Sequence, residues 1–367
     1  MGRAVSVTLL GGALMLVAAA FGPTPMLVPG AALLPLGIGA AAWVSWAARG
    51  ARVERRLGVT RAVEGEPTAL TIEARTRVWP PPGSELVEPL RAEAPQPGGG
   101  HRILRLEVEV SFPRRGRVRL EPAVLRVRDP LGLAVREVRS PADEVLVLPR
   151  IEPVGVGRGG HAPGGPLAAP APVGVTDAAE VEVDSLREAP AEAPATRIHW
   201  PAVARTGVLM ERTFVPESDR RPLVVLDASD PESPEALDAA VRAAASLCVR
   251  LARTGGCELL LPGDRRPAAI DAALAAWPAL HARLALVESG GPRRARVRLG
   301  RAGSILWVVA RAPGAAGGAP ALPRSLARAA ARERYVVAPG PARSEAAFAV
   351  AGCHGRRLER TYRRAAA

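Results

Sequence analysis

The chain has 367 residues, enough for two domains; 48% are hydrophobic but only 3% are aromatic, so any core must be built mainly from Val, Leu and Ala. The formal charge is +13 with no lysine anywhere, which excludes a P-loop nucleotide site and Schiff-base chemistry, because both need a lysine amine. The arginines are scattered through predicted strands and loops with few aromatics to stack bases, so the charge reads as an Arg-rich composition plus a membrane-flanking cluster, not a nucleic-acid surface.

No charged residue occurs between positions 4 and 48. Two apolar segments, 4–22 and 26–48, are each long enough to cross the hydrocarbon core, with the turn Phe21-Gly22-Pro23-Thr24-Pro25 between them. Trp43 and Trp46 suit the membrane interface, and Pro29 and Pro35 are tolerable in a lipid-buried helix. A secretory signal peptide is the competing reading, since Arg3 precedes an apolar run; a cleaved signal would leave the second segment unexplained. Arg3 on one side and Arg49, Arg52, Arg55 and Arg56 on the other place both ends in the cytoplasm, giving a hairpin over 1–50 in the plasma (inner) membrane.

From 51 to 150 the pattern has period two. Leu104, Leu106, Val108, Val110 and Phe112 share one face and Arg105, Glu107, Glu109 and Ser111 the other, as in a half-buried antiparallel strand. Shorter runs at 69–74, 118–120, 124–127 and 145–148, separated by turn clusters at 80–83 and 97–100, predict a small β-sandwich-like domain. His101 beside a glycine turn reads as a solvated loop residue. Residues 151–185 read as a Gly/Pro/Ala-rich linker, and Gly155, Gly157, Gly159 and Gly160 are no dinucleotide fingerprint without a flanking strand and helix.

The C-terminal region, 186–367, is predicted to be an α/β (von Willebrand A or Rossmann-like) domain with a mainly parallel sheet. Its organising unit runs from Pro222 to Leu261. Leu223 to Leu226 is a short buried strand. Ser233 can cap the following helix, Pro234 fits its first position and Glu235 its positive end. Leu237, Ala240, Val241, Ala244, Leu247, Cys248 and Leu251 form an apolar stripe, Gly255 and Gly256 stop the helix, and 259–261 is the second strand. Beyond it we expect a helix at 268–280, a strand at 284–287, an Arg-rich loop at 290–303, a strand at 305–309, a helix at 322–332, strands at 336–338 and 348–351, and a solvated tail with Arg-Arg pairs. Cys248, Cys257 and Cys353 form no metal-spaced pair in sequence and are expected to be reduced.

Two segments carry a family resemblance. One is Arg128-Asp129-Pro130-Leu131-Gly132-Leu133, ahead of the strand that ends in Leu148-Pro149-Arg150. The other runs Arg197-Ile198-His199-Trp200-Pro201-Ala202-Val203-Ala204-Arg205-Thr206-Gly207-Val208-Leu209-Met210, soon followed by the Asp227 strand. With the hairpin, the chain resembles the DUF58 family of bacterial membrane proteins, whose C-terminal half looks like a von Willebrand factor A domain. The resemblance implies a role beside MoxR-type AAA+ ATPases and transglutaminase-like membrane proteins in envelope assembly or maturation.

There are departures from the pattern. Arg187 and Glu188 match the family's Arg-Glu, but Ala189 stands for its aromatic residue and Glu192-Ala193 for its Gly-Asp. A-type domains hold a divalent cation through Asp-x-Ser-x-Ser. Here Asp227 and Ser229 match, Pro231 replaces the last serine, and Ala310-Arg311-Ala312 follows the strand after which a further Asp is expected. Two readings follow. In one, Asp227, Ser229 and Asp230 hold Mg²⁺ with waters. In the other, Asp227 and Ser229 satisfy backbone groups at a strand-to-helix turn. Trp200 and Arg205 read as packing and positioning residues. His199 has no Ser or Cys in a nucleophile-elbow context beside it, so the expected module is not an enzyme. The alternatives are a metal-assisted hydrolase at the Asp227 edge and a degenerate paralogue without a binding site.

Overall fold

The computed structural model describes residues 2–22, 24–77, 84–90, 96–97, 103–156, 167, 183–189, 198–214, 221–290, 302–312, 322–340 and 346–358. They form two compact units, Met1–Leu148 and Pro149–Ala367. The predicted turns at 80–83 and 98–100, His101, Arg197 and the Arg-rich 291–301 lie outside the described residues.

The first unit opens with two helices, α1 (Gly2–Phe21) and α2 (Thr24–Ala47), both long and apolar enough to cross a membrane. They pack antiparallel through small residues. A Cβ at Gly11 would sit 2.6 Å from the Leu34 backbone nitrogen, and one at Gly30 would sit 2.8 Å from Met15 Cγ, so neither site accepts a side chain. Close backbone approach is how helices associate where solvent supplies no hydrophobic drive. Their outer faces stay apolar and exposed, with Leu9 at 68%, Leu16 at 73% and Val28 at 71%.

Ten strands follow: β1 (Arg52–Leu57), β2 (Arg61–Val63), β3 (Pro67–Arg75), β4 (Glu85–Val87), β5 (Gln96–Pro97), β6 (Ile103–Ser111), β7 (Gly116–Leu120), β8 (Val124–Arg128), β9 (Val135–Arg139) and β10 (Asp143–Leu148). They make three small sheets, ordered β1-β3-β6, β2-β10-β7 and β5-β4-β8-β9. The period-two pattern is realised: in β6, Leu106 and Val110 are buried while Arg105, Glu107 and Glu109 are exposed. One core joins these sheets to the end of α2, with Val44 and Ala47 packed among Ile72, Leu106, Leu125 and Val127. Arg55 departs from the expected membrane-flanking set. Its side chain is fully buried, with Nη2 donating to Glu88 Oε1 at 2.7 Å and Oε2 at 2.8 Å. Its strand position places it on the core side of β1, where only a paired charge is tolerable.

The turn between β8 and β9 is the first resemblance segment. Asp129, 4% exposed, accepts the Leu131 N–H at 3.0 Å through Oδ2 and the Ala134 N–H through Oδ1. Gly132 sits at φ 68°, a conformation that favours glycine. The Leu133 carbonyl then accepts the Ala4 N–H of α1 at 2.9 Å, satisfying one of the helix's free N-terminal donors.

The second unit contains β11 (Gly155–Val156), β12 (Val183–Glu188), α3 (Trp200–Thr206), β13 (Met210–Phe214), β14 (Leu223–Asp227), α4 (Pro234–Gly255), β15 (Cys257–Leu260), β16 (Ala268–Ile270), α5 (Trp277–Ala285), β17 (Ala302–Val309), α6 (Arg324–Arg328), β18 (Ala331–Pro339), β19 (Phe348–Val350) and β20 (Cys353–Arg357). Eight strands form one sheet in the order β11-β19-β20-β18-β17-β14-β15-β16. The run β18-β17-β14-β15 is parallel, but β15–β16, β18–β20, β19–β20 and β11–β19 pair antiparallel, so the sheet is mixed and not mainly parallel. Val224 and Leu226 face α4 and α5, while Leu223 and Val225 face Leu326 of α6. The α4 expectations hold: Ser233 accepts the Ala236 N–H at 3.1 Å, Gly256 caps the far end, and all seven stripe residues are buried.

Several expected elements differ. The 268–280 helix is instead the edge strand β16, followed by turns with Leu274 at φ 58°; the helix starts at Trp277 because Pro278 fits a first turn and breaks an interior. Of the strand expected at 284–287, Leu284 and Ala285 end α5, Leu286 caps it and Val287 follows outside any strand. The 322–332 helix shrinks to α6, and β18 begins at Ala331. Arg356 and Arg357, expected in a solvated tail, lie in β20, where Gly355 leaves room for the buried Phe348 ring. The first part of the expected linker is sheet edge: β11 pairs with β19, the Glu152 N–H donates to Ser246 Oγ at 2.9 Å, and His281 Nε2 lies 2.8 Å from the Pro149 carbonyl.

The three cysteines are free and buried, and Cys257 Sγ lies 3.4 Å from the Cys248 carbonyl, so two that are apart in sequence meet in space. Burial pushes the Cys353 thiol up to about 12 and the Cys248 thiol well above its ordinary range, with Cys257 acting in the same direction. The neutral thiol is therefore favoured in the folded state, while unfolded thiols ionise near pH ~8.5. The unfolded chain then holds fewer protons, and stability should fall as pH rises from about 9 towards 12. At pH 8 a disulfide-exchange reagent should label none of the three cysteines in the folded protein and all of them after denaturation; fast native labelling would contradict this burial.

Candidate functional site

In the parallel core, β15 lies to one side of β14, and β17 and β18 lie to the other. The chain therefore reverses its order between β14 and β17, and a crevice outside the carboxyl ends of these two strands is where open α/β sheets place ligands. Asp227 ends β14 there, opposite Val309 of β17.

Three contacts engage the Asp227 carboxylate. Its Oδ1 accepts the Ser229 backbone N–H at 3.0 Å and the Ser229 hydroxyl at 2.7 Å; its Oδ2 accepts the indole N–H of Trp307 at 3.3 Å. Trp307 is 4% exposed, in register with Val225 on the neighbouring strand, and a buried indole N–H needs such an acceptor. The rest of the turn is fastened across to the exit of β17. The Glu232 N–H donates to the Ala310 carbonyl at 2.9 Å, Glu232 Oε2 accepts the Ala312 N–H at 3.1 Å, and Asp230 pairs with Arg311 at 2.8 Å. The Asp230 and Arg311 side chains remain 55% and 57% exposed.

This geometry bears on the cation expected from the A-domain resemblance. The Ser229 hydroxyl directs its proton at Asp227, and the Asp230 carboxylate is drawn to Arg311. Among the described residues, no group of three or more His, Cys, Asp or Glu side chains is placed to hold a metal ion. In this arrangement the Ser229 hydroxyl and the Asp230 carboxylate are engaged by Asp227 and Arg311, and a divalent cation would need oxygens converging on it instead.

A cavity of ≈370 Å³ opens beside the same edge, lined among others by Leu261, Arg283, Glu288 and Ser289. Its Gly290 N–H donates to the Ala228 carbonyl at 3.2 Å, which connects the cavity rim to the Asp227 turn, and Arg283 on its wall is paired with Asp264 at 2.7 Å.

The second resemblance segment forms α3 with the strand pair β12–β13, a small sheet separate from the large one. His199 caps α3: its Nδ1 accepts the Ala202 N–H at 3.1 Å, and its own N–H donates to the Met210 carbonyl at 2.8 Å. Ile198 is 8% exposed. Trp200, expected to pack, is 59% exposed, and Arg205 is exposed too, because α3 buries none of its residues. Arg187 lies in β12 opposite Glu211. Asp227, Ser229 and Asp230 thus meet at one turn, while the described residues of the second resemblance segment, and Arg187, lie in another substructure. Sequence reasoning missed Trp307 and Arg311; a lone Trp in a buried strand beside a strand ending in Asp was the available signal for the first.

Compared with models of known protein families and with curated proteins, the chain matches none.

If the indole–carboxylate contact fixes the turn, Trp307→Phe and Asp227→Ala should be coupled. A double-mutant cycle on the detergent-solubilised chain, read by circular dichroism in denaturant, should give a coupling of about 1 kcal/mol. Strict additivity would show that the turn is held by other contacts.

Proposed function

We propose that the chain is a membrane-anchored, non-enzymatic interaction protein of the DUF58 kind. Its second unit acts as a von Willebrand A-like docking module, with a MoxR-type AAA+ ATPase as partner in envelope assembly or maturation. A transglutaminase-like membrane protein is the further partner that the resemblance implies. In this reading α1 and α2 span the plasma membrane, and both soluble units lie on the cytoplasmic side. The length and exposed apolar surface of the two helices support the anchor, and the four parallel strands with α4 and α5 on one face and α6 on the other support the A-like comparison.

The observation that carries the reading is the state of the switch point. Its carboxylate holds the turn, and what the edge offers outward is a charged rim, Asp230, Glu232 and Arg311. Such a rim steers and orients a protein partner.

A metal-assisted hydrolase at the same edge is the second reading, favoured by the ≈370 Å³ cavity beside the Asp227 turn. Calorimetric titration with Mg²⁺ and Mn²⁺ separates the two. Heat at millimolar metal that disappears in Asp227→Ala would favour the hydrolase, and no heat would remove it.

The docking reading predicts that the full chain in detergent retains a purified MoxR-type ATPase. Arg311→Glu should weaken that complex about tenfold, and the double swap Asp230→Arg/Arg311→Glu should not restore it if the partner reads the rim. Absence of any complex with the unaltered chain would overturn the proposal; full binding by Arg311→Glu would move the docking site off this edge.

A further inference from the structure

The first unit assembles an arginine-rich rim from residues far apart in sequence. Arg52 of β1 pairs directly with Arg75 of β3, and Arg75 with Ile103 of β6, so the three form one exposed row across the end of the sheet that receives α2. Arg49 lies in the turn between α2 and β1. Gly50, at φ 73°, lies beside Arg77: a Cβ there would be in ordinary contact, 3.5 Å, with the Arg77 Cβ. Arg49, Arg52, Arg75 and Arg77 are all exposed. Arg75 has a salt bridge to Glu73 at 2.9 Å, and among the described residues the other three have no ion pair. Like charges directly opposite each other on neighbouring strands destabilise a sheet unless an anion intervenes. One row further from α2, Glu54 and Glu73 stand beside Arg105, and beyond them Arg56 shares a row with Glu107, so unbalanced positive charge is concentrated in the row nearest α2.

Two other features fix where this rim lies. Trp43 and Trp46, with ring centroids 5.7 Å apart and exposures of 43% and 48%, mark the last turns of α2 as an interfacial belt. Leu131, 62% exposed, sits on the turn whose Leu133 carbonyl holds the first turn of α1. Ile103, at the end of the arginine row, is 55% exposed.

We infer that this rim is a binding surface for anionic phospholipid headgroups, with Arg49, Arg52, Arg75 and Arg77 taking the phosphates and Leu131 entering the acyl boundary. The inference rests on the reading of α1 and α2 as membrane spans. It adds a lipid preference and a fixed seating of the strand-rich part of the unit on the bilayer, which the spans alone do not imply. Guanidinium groups suit phosphate oxygens through paired donors.

The test uses the full chain reconstituted in bilayers of phosphatidylcholine and phosphatidylglycerol, each in turn carrying brominated acyl chains that quench tryptophans in contact with lipid. Brominated phosphatidylglycerol should compete about fivefold better than phosphatidylcholine for the sites that quench Trp43 and Trp46. The preference should vanish in Arg49→Gln/Arg52→Gln/Arg75→Gln/Arg77→Gln and shrink in the unaltered chain as salt rises. The salt series stands even if the quadruple variant fails to fold. Equal quenching by both lipids at low salt would overturn the headgroup site and leave the spans intact. No quenching by either lipid would end the membrane reading and this inference with it.

Discussion

A carboxylate that closes its own turn, buried at Asp129 and half-buried at Asp227, is the interaction on which both units depend. In the first unit Asp129 receives the N–H groups of Leu131 and Ala134, and the turn so formed presents the Leu133 carbonyl to the start of α1. An unsatisfied donor at a helix start buried against protein would be costly. The Asp129 turn supplies its acceptor and thereby fixes the helix pair to the sheets that follow. In the second unit Asp227 does the equivalent, taking the Ser229 N–H and hydroxyl and anchoring both to Trp307. Both aspartate turns, at Asp129 and at Asp227, are thus turn-forming devices first, and whatever they recognise is built on that rigidity.

The consequence for function is a division of labour along the chain. Small residues at Gly11 and Gly30 let the apolar helices meet backbone to backbone, leaving their larger side chains outward. The arginines sort themselves by strand position. Arg55, on the core side of β1, is consumed by Glu88, whereas Arg52, three residues earlier, is exposed at the rim. A sequence-level count of basic residues treats these two alike. The fold separates a structural ion pair from a surface charge.

Much of the architecture was legible because it rests on periodicity and caps. The helix from Pro234 to Gly255 is announced by Ser233, Pro234 and the paired glycines, and β6 by strict alternation. The failures have a common cause. The Ala-rich stretch 268–276 suits a helix by propensity, but pairing of β16 at the sheet edge and Pro278 decide otherwise, and pairing of β18 with β17 from Ala331 onward cuts the second expected helix short. The short strands β11, β16 and β20 carry little local signal and exist because antiparallel partners extend the sheet. At the candidate site Asp227 and Ser229 were readable from their turn, while Trp307 and Arg311 come from a strand eighty residues away that only the sheet register brings alongside.

The account as a whole requires that the two apolar helices cross the plasma membrane and that both soluble units face the cytoplasm. Protease added outside intact cells tests this directly, followed by detection of fragments with an antibody to the C-terminal unit. The account predicts that residues beyond 50 remain uncut until the cells are permeabilised. Cleavage within the second unit in intact cells would contradict it.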